Sequence, residues 1–166
     1  MFGNLEQDIT IPYNVTIPED HSNENYKDNM KIIERLETKL TDLVEQKLSR
    51  INSKWLNDRI PNLKMIEKWE EIRGKSTRSE KLFKGGQSES LIHYSELGDL
   101  YQIIKWSKNW KECFESVFKD LKLFESDMEQ LVMIRNDIAH SRPLNEIQEG
   151  KLRINAEHFI RLIDQS

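Results

Sequence analysis

The stretch LKLFESDMEQLVMIRNDIAHSRPL (residues 121–144) sets the fold and poses the functional question. Leu121, Phe124, Met128, Leu131, Val132, Ile134 and Ile138 recur at spacings of three and four, the apolar face of an α-helix. Ser141-Arg142-Pro143 ends it, because proline lacks an amide hydrogen and pushes the residue before it out of the α region. The last turns carry Arg135, Asn136, Asp137 and His140. These residues support two readings. In one, His140 caps the terminal carbonyls and Arg135 pairs with a surface acid. In the other they are a chemical pair. Histidine titrates near neutrality and can move a proton to or from a ribose hydroxyl, while arginine presents a planar fork of donors to a phosphate. Positions five apart diverge by about 140° on a helix. The two side chains therefore converge only if the helix frays before Pro143 or a second copy faces the first.

The same periodicity extends in both directions. From Tyr26 to Ile60, Ile32, Leu36, Leu40, Leu43, Val44, Leu48, Ile51 and Trp55 predict one long helix ended by Pro61. A shorter helix is expected from Leu63 to Ile72, then a basic loop over residues 73–90 turning at Gly85-Gly86. Helical spacing resumes from Ser95 to Trp106 and continues through Trp110, Phe114, Val117 and Phe118, with a kink expected near Ser107–Asn109. Asn145 followed by Gln148 reads as a capping box opening a last helix, with Ile147, Leu152, Ala156, Phe159 and Ile163 on its buried face. No segment alternates with the period of a strand. The expected fold is an all-α bundle, residues 26–166, with two long antiparallel helices and shorter ones packed around them. Residues 1–25, with two Ile-Pro steps, read as an extended acidic arm.

Composition narrows the function. Six Gly and four Pro in 166 residues leave room for long helices. No apolar run approaches the roughly 20 residues of a membrane span, and MFGNLEQDIT has no basic start or apolar core of a leader, so a cytoplasmic protein is expected. One cysteine, Cys113, excludes an internal disulfide or a cysteine zinc cluster, and its place between Trp110 and Phe114 suggests buried packing. The other histidines lack ligand-spaced partners, so no metal or cofactor is expected. RGKS at 73–76 ends like a phosphate-binding loop, but Trp69 stands where its first glycine belongs. Net charge is −4, yet residues 1–30 hold Glu6, Asp8, Glu19, Asp20, Glu24 and Asp28 against Lys27 alone. The rest of the chain is near neutral, with a local basic segment of Arg73, Lys75, Arg78, Lys81 and Lys84 that could hold an RNA backbone.

RNDIAH (residues 135–140) fits the R-x-x-x-x-H signature of HEPN domains. INSKWLNDRIP, KMIEKWEEI, YSELGDLYQII, NWKECFESVF and IRNDIAHSRPLNE follow one another in an order similar to the Swt-like HEPN branch. That branch resembles the C-terminal domain of a nuclear transcript-surveillance endonuclease and many proteins of microbial conflict systems. The likeness covers roughly residues 30–164 and leaves out the arm. It implies an all-α HEPN-like bundle that pairs as a two-fold homodimer, and a metal-independent endoribonuclease leaving a 2′,3′-cyclic phosphate. Arg135 would hold the scissile phosphate and His140 would act as acid or base. Asn136 would support them, and Asp99 matches a frequent acidic position of the branch. A toxin or defence effector acting on RNA, with an antitoxin or other conflict-system partner, is one expectation. The other is a catalytically silent HEPN module for dimerisation, nucleotide binding or partner docking.

Overall fold

The computed structural model describes the backbone of residues 21–83 and 90–166, and the side chains of 24–76 and 90–166. Among these residues the chain is all-helical, with no strand. Helix α1 runs His21–Ser49, a single turn α2 Trp55–Asp58, and α3 Leu63–Phe83. A 3₁₀ segment (Leu91–Tyr94) leads to α4 (Leu97–Lys105) and the short α5 (Ser107–Asn109). A π-helical turn (Trp110–Phe114) passes into α6 (Glu115–Phe118), and α7 (Leu121–Ala139) and α8 (Glu146–Asp164) complete the fold.

Helix α1 is the spine. Ile33, Leu36, Leu40, Leu43, Val44 and Leu48 are buried along one face, against α8, α7 and α4. Asn29 reaches Glu149 near the start of α8, and Lys39 reaches Asp164 at its end, so α1 and α8 run parallel. The antiparallel pair is α7 and α8, 19 residues each, joined by the turn at Pro143. Between them Phe118, Phe124 and Phe159 meet with ring centroids 4.8–5.7 Å apart, and Trp110 lies 5.3 Å from Phe124. Trp55, Trp69 and Trp110 are buried, whereas Trp106 is only half-buried.

Three boundaries and the burial of one α8 residue differ from the sequence expectation. The first helix ends at Ser49 rather than Ile60. The Asn52 side chain accepts from Lys54 N at 2.9 Å and donates to Asp58 at 2.6 Å, which holds a turn in place of a helix. Ile51, counted in the apolar stripe, is therefore exposed. The first helix also begins at His21, so residues 21–25 belong to it and not to an extended arm. Residues 73–83, expected in a loop, continue α3, where Gly74 is tolerated on an open face with nothing within 4 Å of an added Cβ. On α8, Ile147 is 71% exposed instead of buried. The arm's residues 1–20 and the glycine turn at 84–89 lie outside the described residues.

The kink near residues 107–109 is present and has a cause. Trp106 leaves the helical region (ψ 126°), and Asn109, fully buried, donates through Nδ2 to Ile103 O at 2.8 Å and Arg59 O at 2.9 Å. One carboxamide thus serves a carbonyl freed at the end of α4 and ties α4 to the turn after α2.

Candidate active site

Helix α7 closes mainly through its own backbone, with the Tyr26 hydroxyl adding a donor to Ile138 O at 3.3 Å. Ser141 N donates to Ile138 O at 3.0 Å and Arg142 N to Asp137 O at 2.8 Å, with Ser141 in the left-handed region at φ 55°. This is the Schellman closure that usually recruits glycine. Asp137 then pins the turn: its carboxylate pairs with Arg142 Nη1 at 3.2 Å and accepts from Gln148 Nε2 at 3.1 Å. The expected capping box is also there, with Asn145 and Gln148 each accepting the other's backbone N–H at 2.9–3.0 Å.

His140 sits at this helix end with its ring exposed. Its backbone N–H is used by Asn136 O at 3.1 Å, and its imidazole has no protein partner among the described residues. The bland reading of His140 as a side-chain cap therefore fails, because backbone groups already satisfy the carbonyls. Asn136, also exposed, lies on the same outward line of α7 as Met133 and His140. Met133 is 68% exposed.

Arg135 points the other way, toward α1 and α4, and its side chain is 24% exposed. Its Nε donates to Glu37 Oε1 at 3.3 Å, and Nη2 lies 3.6 Å from Glu96 Oε1. The first α4 residue, Leu97, has a backbone N–H with no partner inside its own helix, and it donates to Glu37 at 3.2 Å. Asp99 Oδ2 accepts from Glu96 N at 3.0 Å and from Trp69 Nε1 at 2.9 Å. Lys68 closes the cluster, 3.0 Å from Glu96 and 3.6 Å from Asp99. Burial pushes the Glu37 carboxyl above its ordinary value of 4.5, against the opposing pull of Arg135 and Leu97 N–H.

The expected residues thus fall into separate groups. Arg135 and Asp99 belong to one cluster through Glu96, while His140 and Asn136 lie on another face of α7. A single protomer does not bring Arg135 and His140 to one point. Arg73 is half-buried, and the exposed Lys75 pairs with Glu71 at 2.8 Å. Arg78, Lys81 and Lys84 have side chains outside those described. Glu37 and Glu96 escaped the sequence reading. The available signal was a carboxylate beside the apolar stripe of α1, between Ile33 and Leu40, and an acid just before α4. Cys113 is buried, and burial pushes its thiol up, as expected of a packing residue.

Among the described residues, no group of His, Cys, Asp and Glu is arranged to hold a metal, and no helix is long and apolar enough to cross a membrane. No protein family, curated protein or solved structure matches the chain.

Proposed function

We propose that the protein is a metal-independent endoribonuclease of HEPN type, acting as a homodimer and serving as a toxin or conflict-system effector in the cytoplasm. The observation that carries this reading is the His140 imidazole, exposed and unpartnered at a helix end that its backbone has already closed. It is therefore available for proton transfer. His140 would take the proton of a ribose 2′-hydroxyl, the 2′-oxygen would bond to phosphorus, the P–O5′ bond would break, and the leaving 5′-oxygen would take a proton from water. Arg135 supports the phosphate: the carboxylates hold its Nε and Nη2, and Nη1 has no protein partner among the described residues.

Because Arg135 and His140 diverge on one helix, the reading requires a second copy. Met133, one heptad before His140, offers an apolar contact on the line where two α7 helices would cross. The test is cleavage of labelled single-stranded and structured RNA in EDTA, with wild type beside His140→Ala and Arg135→Ala. Cyclic phosphate ends that appear only with wild type support the reading. Equal cutting by the variants, or an inert wild type, refutes it.

A second reading, a catalytically silent module for dimerisation or partner docking, draws on the acidic surroundings of Arg135. Among the described residues, Glu37, Glu96 and Asp99 pair with no cation besides Lys68 and Arg135, a cluster that competes with phosphate for the guanidinium.

A further inference from the structure

We infer that the cleft between the start of α1 and the α7–α8 turn is a nucleobase subsite selective for guanine. Its place in catalysis rests on the ribonuclease reading, although binding of the base does not. The cleft holds about 200 Å³ and is walled by Tyr26, Asn29, Arg142, Pro143, Leu144 and Glu149. That is below the ~300–1,000 Å³ of sites for drug-sized ligands and suits a single flat heterocycle.

Its chemistry is asymmetric. Asn29 is only 3% exposed; its Nδ2 donates to Glu149 Oε1 at 3.3 Å, and its Oδ1 has no partner among the described residues. A buried acceptor left alone is costly, and a ligand N–H would relieve it. Glu149 is half-buried, and its second carboxylate oxygen has no partner among the described residues. The polar side of the cleft is therefore rich in acceptors. Tyr26, whose hydroxyl donates to Ile138 O at 3.3 Å, is held with its ring on the wall beside Pro143 and Leu144. This gives an apolar flank on which a base can stack. Arg142, exposed at the rim, adds a cation with donors beyond the one that meets Asp137.

Guanine fits this pattern better than the other bases. It presents two adjacent donors, N1–H and N2–H, to the two oxygens of one carboxylate. Adenine and cytosine set a ring acceptor beside their amino group, and uracil flanks its single N–H with two carbonyls. Each would turn an acceptor toward Glu149. A nucleotide seated this way carries its phosphate past Arg142 toward His140, two residues earlier in the same turn. The site would then direct cleavage to guanosines in unpaired RNA.

The experiment is calorimetric titration of the full chain with GMP, AMP, CMP and UMP. GMP is expected to bind at least tenfold more tightly than AMP. Glu149→Gln keeps an oxygen for Asn29 Nδ2 and should erase that preference. Tyr26→Phe should retain binding of all four nucleotides, and Tyr26→Ala should weaken it, with circular dichroism melts checking that each variant folds. Equal affinity for GMP and AMP, or unchanged GMP affinity in a folded Glu149→Gln, overturns the inference. RNA cutting that needs His140 but shows no guanine preference in binding sinks the subsite and leaves the ribonuclease standing. Guanine-selective binding lost in Glu149→Gln, with no RNA cut by wild type, does the reverse.

Discussion

Glu37 links three parts of the fold through one carboxylate, and replacing it should separate two kinds of contribution. Its Oε1 accepts from Leu97 N at 3.2 Å and from Arg135 Nε at 3.3 Å. Glu37→Ala strands the N–H of a fully buried residue, at about 1–3 kcal/mol. It also loses an ion pair whose two side chains are each 24% exposed, which solvent limits to roughly 0.2–1 kcal/mol. The expected cost is about 2–3 kcal/mol. Glu37→Gln keeps an oxygen for Leu97 and relieves the burial of a charge, so it should cost about 1 kcal/mol or less. The pH dependence gives a second readout. Because the native carboxyl titrates above its ordinary value, the folded chain binds more protons than the unfolded one between about pH 4.5 and that raised value. Stability from this group therefore falls as pH rises through the window, and Glu37→Gln should remove that slope. Urea melts at several pH values measure both effects. Equal costs for the Ala and Gln variants would refute the assignment of Leu97 N–H as the main beneficiary.

Four further outcomes follow from the geometry. Asn109→Ala should cost about 2–4 kcal/mol, since it strands two buried carbonyls, and Asn109→Asp should cost more by facing them with a third acceptor; thermal melts decide. Ser141→Gly should stabilise by about 0.5–1 kcal/mol, by relieving left-handed backbone strain at φ 55°, and no gain would argue against the Schellman closure. On the proposed homodimeric ribonuclease, Met133→Glu should leave the protomer as stable as wild type while lowering the sedimentation mass and the RNA cleavage together; a dimer that survives it would place the two-fold contact elsewhere. Tyr101, buried and donating to Glu129 at 3.0 Å, has its phenol pushed up to about 12, so ultraviolet titration should show one tyrosine ionising late. Its contribution to stability is lost as pH rises from about 10 toward 12, because the unfolded chain gives up that proton first.

The helices were legible because burial imposes a period. Phe124, Met128, Leu131, Ile134 and Ile138 are all buried, as their spacing demands. The capping box at Asn145 and Gln148 was equally legible, since both of its hydrogen bonds are local. What escaped was set by features that the apolar period does not carry. Nothing in the apolar stripe of residues 31–55 says that Asn52 will fold back on Asp58 and stop α1 about three turns early. Ile147 has the identity and spacing of a core residue, yet it stands in the first turn of α8 and is exposed. Gly74 and the serines after it look like a loop, yet an exposed helix loses only about 1 kcal/mol to such a glycine.

The candidate site shows the same division more sharply. Arg135 and His140 are neighbours in a motif, but the helix carries them to different faces, and their environments have different origins. His140 is exposed because a backbone closure, with serine standing where glycine is usual, leaves its ring without a structural task. Arg135 is fixed because α1 and α4 each bring it an acid, and one of those acids also serves the first N–H of α4. The acids that orient Arg135 therefore also hold the bundle together. Loss of cleavage in an Arg135 variant would mix chemistry with a disturbed α4. His140→Ala removes a side chain without a structural task in the protomer, so if sedimentation mass and RNA binding are unchanged, its loss of cleavage would report on proton transfer, which makes His140 the residue on which the functional reading turns.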